Sequence, residues 1–203
     1  MEKDAKEKLL AAALPLFPQY GYAGVSIRAI AEAAGVNSAA ISYYFGGKEG
    51  LYGAVLERLF APVDKMIMEK QLLQNAGADF VHHFAERAVA IHKQNPYLVK
   101  YMYMEMVNPT KFSDSIVKQH LTRLYQFLSG GVQRAVDQGE FRQDLDVGYA
   151  AFSLSAIINM YFIVTPIRQR VIQRPGNEVA YVEQAVSIFL QGVRRQDHVR
   201  KAT

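Results

Sequence analysis

The chain has 203 residues, half of them hydrophobic, with 23 Lys/Arg against 19 Asp/Glu and a formal net charge of +4. That length allows a sizeable core in one or two domains, and no run of about 18 apolar residues is present to span a bilayer. Cysteine is absent, which excludes disulfides, thiolate metal sites and thiol chemistry. The N-terminus, MEKDAKEKLL, is charged and lacks the apolar centre and cleavage site of a signal peptide, so a cytoplasmic protein is expected. A basic balance suits a polyanionic partner. Its distribution is less telling, since up to Phe60 six Lys/Arg face six Asp/Glu and the excess lies C-terminal.

The first helix is predicted from about Lys3 towards Tyr20, with Leu9, Leu10, Ala13, Leu14 and Phe17 forming an apolar stripe at i, i+3/i+4 spacing. Lys6, Glu7 and Lys8 fall on solvated positions. Pro15 and Pro18 each remove a backbone donor and press on the preceding turn, so this helix should kink or finish early. Gly21 ends it.

The stretch SIRAIAEAAGVNSAAISYYFGGKEGLY, Ser26 to Tyr52, carries the densest information. Ser26 is an N-cap residue with Ile27, Ile30 and Ala31 at helical spacing behind it. The small Ala31 admits a crossing helix, and Gly35 can take the left-handed conformation that stops a helix within one residue. Asn37 caps the next helix, which turns Ala40, Ile41 and Tyr44 inward and leaves Ser38, Ala39, Ser42 and Tyr43 outside. A short helix exposing small polar groups and one tyrosine fits the reading helix of a helix-turn-helix.

Ala31, Gly35, Asn37, Tyr43-Tyr44-Phe45 and Lys48-Glu49-Gly50-Leu51 occur in the order and spacing of the TetR family of bacterial transcriptional regulators, and GYAGVSI resembles the link before that family's second helix. The I-S-Y-Y-F-G-G-K-E-G-L-Y variant, with Ser42 where many relatives carry tyrosine, is similar to the subgroup that includes the CecR (YbiH-like) regulators. The motif covers the first 50 to 60 residues; the remainder matches in length and helical character.

After Gly46-Gly47 a long fourth helix starts at Lys48 with Leu51, Val55, Leu59, Val63 and Ile67 on one stripe. Pro62 either kinks this helix or ends it. A kink would make the Arg58–Pro62 turn a hinge. A fifth helix is predicted from about Ala78 to Gln94, and Asn95-Pro96 starts a sixth that Asn108-Pro109 closes. A seventh runs from about Ser113 to Gln138. Asp144 or Asp146 caps an eighth that stops near Pro166, and Pro175-Gly176-Asn177 precedes a ninth from about Glu178 to Arg195. With no strand-like alternation, the expectation is an all-α chain of about nine helices. Residues 1–63 would form the helix-turn-helix DNA-binding domain, and residues 64–203 a regulatory domain for effector binding and dimerisation.

The sixth helix, PYLVKYMYMEMVN, is apolar nearly all round and should be buried on most sides. It reads either as ordinary core or as the wall of an adaptable pocket, since Met repacks easily and Tyr adds a polar tip. A pocket would draw on Phe84, Tyr101, Met102, Glu105, Phe127, Phe152 and Tyr161. Glu105 reads alternatively as a structural ion pair or cap. The eighth and ninth helices are too apolar to cover one face of a monomer. Ala150, Leu154, Ile157, Ile158, Tyr181, Val182, Ala185 and Phe189 are the residues expected at a four-helix dimer contact, where the resemblance also places it, the alternative being intramolecular core alone.

His82, His83, His92, His120 and His198 form no i, i+4 pair and no HExxH. No G-x-S-x-G elbow, P-loop or G-x-G-x-x-G is present, so no catalytic residue, metal or cofactor is expected. The DNA-facing residues are expected to be Ser26, Arg28, Asn37, Ser38, Ala39, Ser42, Tyr43, Tyr44 and Lys48, with Arg28 and Lys48 placed for phosphate. The resemblance implies a homodimer on a pseudo-palindromic double-stranded operator, acting as a repressor released by a small, largely apolar effector, with no membrane role. Two alternatives stand beside it: the same fold controlled by a protein partner, and an all-α enzyme using the helix-turn-helix as scaffold.

Overall fold

A computed structural model describes residues 2–171 and 177–194. Eleven α-helices are found among them: α1 (Glu2–Gly24), α2 (Ile27–Ala34), α3 (Ala39–Phe45), α4 (Lys48–Ile67), α5 (Lys70–Gln74), α6 (Gly77–Gln94), α7 (Leu98–Val107), α8 (Lys118–Asp137), α9 (Val147–Ile163), α10 (Thr165–Val171) and α11 (Glu178–Val193). A π-helical turn, Ser113–Val117, leads into α8. The chain is all-α, and the one strand-like feature of the described residues is an isolated bridge between Phe141 and Arg194. Pro175, Gly176, Arg195, His198 and the basic tail lie outside the described residues.

Packing separates two compact units: Met1–Pro62 with Asn95–Leu121, and Val63–Gln94 with Thr122–Thr203. Residues 95–121, which a contiguous division at 63/64 assigns to the C-terminal part, therefore pack with the first helices.

In the first unit, Leu9, Leu10, Ala13 and Phe17 are buried along α1, as the stripe predicts. The prolines do not end this helix. It runs through Pro15 and Pro18 and breaks at Gly21, whose φ of 73° and ψ of 159° are not helical. The reason lies in the backbone accounting. Pro18 has no N–H to give the Leu14 carbonyl, and the Tyr101 hydroxyl donates to that oxygen at 3.1 Å instead. Tyr101 is fully buried, and burial pushes its phenol well above the ordinary range. Tyr101→Phe should cost about 1–3 kcal/mol by leaving a buried carbonyl unpartnered. Denaturant unfolding checks this, and a variant of wild-type stability would refute it.

Helix α4 passes through Pro62 without ending and reaches Ile67, so the reading in which Pro62 ends it is excluded. Its Tyr52 is fully buried, edge-on to Phe17 and Tyr22 with centroids 4.8 Å away in both cases. The Tyr52 hydroxyl donates to buried Glu105. Glu105 also accepts from the Thr110 backbone N–H at 3.1 Å and from the Thr110 hydroxyl at 3.0 Å. Helix α7 is not buried on most sides: Tyr103, Met106 and Val107 are more than half exposed.

In the second unit α6 packs against α5, α9 and α11, and α9 packs against α10 and α11. Asp146 caps α9 by accepting from the Tyr149 N–H at 2.8 Å. Asn177 caps α11 by accepting from the Val179 N–H at 2.9 Å. Helix α9 ends at Ile163, near Pro166 as expected, and Pro166 lies in the first turn of a further short helix, α10, where its missing N–H costs nothing. The Arg134 guanidinium donates to the carbonyls of Leu72 and Asn75 at the end of α5.

Buried His92 bonds Asn159 through Nε2 at 2.7 Å and stacks on Phe162 with centroids 4.1 Å apart. Burial pushes the imidazole below its ordinary pKa, against a smaller raising effect of the Asn159 bond. The unfolded chain therefore binds a proton below about pH 6.5 that the folded chain resists, so stability falls as pH drops through that value. Urea unfolding at pH 8 and pH 5.5 should show this loss, and His92→Gln should reduce it. An unchanged pH dependence in that variant would assign the loss elsewhere.

Candidate nucleic-acid interface

The interface is assembled from local caps. The Ser26 Oγ accepts from the Ala29 N–H at 3.0 Å, fixing the start of α2. At its end Gly35 sits at φ 64°, and the N–H of Val36 reaches back to the Ala31 carbonyl at 3.0 Å. Asn37 Oδ1 accepts from the Ala39 N–H at 2.8 Å and opens α3. Helix α2 packs on α1 and α3 through buried Ile30 and Ala31.

Helix α3 is seven residues long and anchored by fully buried Ile41. Ser38, Ala39, Ser42 and Tyr43 are exposed, Tyr43 at 72%. Ala40 and Tyr44 are half-buried, and the Tyr44 ring meets Tyr43 edge-on at 4.9 Å. Arg28 is exposed in the first turn of α2. The Lys48 ammonium rests 4.6 Å above the Tyr22 ring and 3.4 Å from the Ala23 carbonyl. Burial lowers its pKa.

Lys6 lies 5.8 Å over the ring of Phe45, the last residue of α3. The sequence placed Lys6 only on a solvated position of α1; the tertiary contact that brings it to α3 has no local signal.

The residues nominated for a pocket are not gathered into one unit. Tyr101, Met102 and Glu105 belong to the first and Phe84, Phe127, Phe152 and Tyr161 to the second. Tyr101 and Glu105 are spent on the α1 carbonyls and on Tyr52 and Thr110, as described. Phe127 packs on Phe80 at 5.4 Å, Phe84 and Tyr161 are buried, and Phe152 is 66% exposed. Of the residues nominated for a dimer contact, Ala150, Leu154, Ile158, Val182, Ala185 and Phe189 are buried within the subunit. Ile157 is half-buried and Tyr181 is exposed. The large apolar groups exposed on these helices are Tyr149, Phe152 and Met160 on α9, and Val179, Tyr181 and Ile188 on α11. Among the described residues no cluster of three metal-ligating side chains occurs, and no helix is long and apolar enough to cross a membrane.

Residues 9–55 match the model of the bacterial regulatory proteins of the tetR family, and residues 73–193 match the C-terminal domain of the HTH-type transcriptional dual regulator CecR. The chain is 39% identical over 85 residues to the probable HTH-type transcriptional regulator YttP of Bacillus subtilis, spanning 36% of this chain and 41% of that protein. It is 26% identical over 138 residues to IcaR of Staphylococcus aureus, the negative transcriptional regulator of the biofilm operon icaADBC, covering 68% of this chain and 72% of IcaR. The transcriptional regulator FadR of Bacillus subtilis, solved with stearoyl-CoA, superposes with a TM-score of 0.74 at 18% identity over 93% of this chain and 99% of FadR. The matched helix-turn-helix at one end and the matched CecR-type domain over most of the rest lead to one conclusion: the chain belongs to the TetR family of DNA-binding transcriptional regulators.

Proposed function

We propose that this regulator is a homodimeric repressor that binds a pseudo-palindromic operator through two copies of α3 and releases it when residues 64–203 take up a small, largely apolar effector. The observation that carries the DNA part is the division of α3 into one buried anchor, Ile41, and an exposed row of Ser38, Ala39, Ser42 and Tyr43. That row is set for base edges and the sugar wall, with Ser26, Asn37 and Tyr44 shaping the approach and Arg28 and Lys48 on phosphate. Lys6 joins them as a third cation beside α3. Repression is supported by the name of IcaR, and an apolar effector by the stearoyl-CoA held by FadR.

Selection from a random duplex pool, followed by mobility shift and light scattering, tests the reading. The expected result is a two-fold-related site bound by a dimer, with half-sites about 34–36 Å apart or a multiple of that. A monomer that enriches no sequence would overturn it. Leaving its place over Tyr22 costs the Lys48 ammonium about 0.5–1 kcal/mol, less than a phosphate contact returns at low salt. Lys48→Ala should therefore weaken all duplexes alike and reduce the salt slope by about one. A changed operator preference at constant slope would show that Lys48 reads bases.

A further inference from the structure

The first unit contains a cavity of about 510 Å³ that the DNA interface does not use. One wall is the end of α1, where Gly21 turns the chain and presents Tyr20 and Tyr22. Met104 of α7 and the loop that follows, with Pro109 and Phe112, also line the cavity. We propose that this cavity is a binding site for a neutral, planar aromatic compound of about two fused rings carrying an amide-like edge, separate from any effector site in the second unit.

The size lies within the range of small-molecule sites. Three aromatic rings and a thioether favour a flat apolar body. The walls are held from behind: Tyr22 and Phe112 both pack on the Tyr52 ring, at 4.8 and 5.8 Å, and Thr110 is tied to Glu105. The site is therefore formed before a ligand arrives.

The charged groups of the lining are paired with each other. Glu49 and Lys111, which also line the cavity, form an ion pair with each other, and the Lys111 ammonium lies 5.5 Å over the Phe112 ring. The pair compensates itself, and a further cation beside the lining, the Lys48 ammonium over the Tyr22 ring, is held by the Ala23 carbonyl. The hydrogen-bonding groups of Thr110 are taken by Glu105. Asn108, at the exposed end of α7, supplies a carboxamide. A carboxamide presents one donor and one acceptor side by side, which a lactam matches with two hydrogen bonds.

The test uses the full chain without DNA, so that its failure is distinct from failure of the operator reading. The protein is labelled with 3-fluorotyrosine, its signals are assigned by single Tyr→Phe variants, and it is titrated with 2-quinolinone, a neutral planar lactam. Saturable shifts of the Tyr20 and Tyr22 signals are expected. Asn108→Ala should weaken binding about tenfold through loss of the paired hydrogen bonds, with the other tyrosine signals in place to report an intact fold. Met104→Trp, which fills the cavity, should abolish the shifts. Quinoline-2-carboxylate, the same body with a charge, should bind at least tenfold more weakly. The proposal is overturned if Tyr20 and Tyr22 do not respond, if only Tyr161 and Tyr181 of the second unit respond, if the carboxylate binds as tightly, or if Asn108→Ala has no effect.

Discussion

Replacing Gly50 with alanine should lower the melting temperature and reduce operator affinity at least tenfold, although helix propensity points the other way. Gly50 lies in the first turn of α4, where alanine would be favoured by about 1 kcal/mol. A Cβ at this position, however, would stand 1.7 Å from the carbonyl oxygen of Phe45 and 2.9 Å from its carbonyl carbon. Phe45 is the last residue of α3, so the obstacle is backbone and cannot rotate away. Overpacking costs about 1–3 kcal/mol where side chains can adjust, and a backbone clash falls at or above the upper end. Relief requires α3 to move away from α4, which shifts the row that reads DNA. Gly130→Ala in α8 is the control: its Cβ would meet only the tip of Arg134 at 3.6 Å, and propensity should there prevail and stabilise. A Gly50→Ala protein as stable and as tightly bound as wild type would refute the close approach.

The second large effect is expected at Phe152→Asp. Tyr149, Phe152, Ala156 and Met160 form one exposed stripe on α9, with exposures of 76%, 66% and 52% for the three large members. If this stripe meets its symmetry mate, each subunit contributes the same residue and a single substitution acts twice. Burial of a phenylalanine contributes about 1.5–3 kcal/mol, and an unpaired carboxylate in its place adds several kcal/mol of desolvation. Dimer dissociation should therefore increase by about a thousandfold or more, and operator binding should fall with it because a monomer holds only a half-site. Sedimentation at micromolar concentration reads the first effect and mobility shift the second. A dimer that survives with an altered effector response would return Phe152 to the pocket expected from sequence.

The helix-turn-helix was legible because its instructions are local. Ser26 bonds three residues ahead, Gly35 closes its own helix, and Asn37 bonds two residues ahead. Nothing local announces that Tyr101 satisfies the carbonyl freed by Pro18, and the prolines therefore read as a kink or an early end. The same blindness affected α9, which is apolar on more than one face: periodicity found Ala150, Leu154 and Ile158 but could not tell the inner stripe from the outer one bearing Phe152. Pro166 marks the end of α9 correctly but does not reveal α10, because proline is compatible with both the end of one helix and the first turn of another. Glu105, which the sequence leaves open between a pocket wall and a structural ion pair or cap, bonds Tyr52 and Thr110, both uncharged.

The membership of residues 95–121 in the first unit bears on how the protein is made. A ribosome delivers the helix-turn-helix early, yet Tyr101 and Glu105, which complete its interior, are synthesised only after all of α5 and α6. Domains ordinarily fold as units during synthesis, so this one must wait. A truncated product ending after α4 would present an unclosed α1 and a bare Tyr52 hydroxyl, and nascent chains of that length should be sensitive to protease. Protection should arrive abruptly once the chain beyond Leu121 has cleared the exit tunnel, which places competence to occupy an operator past the middle of translation.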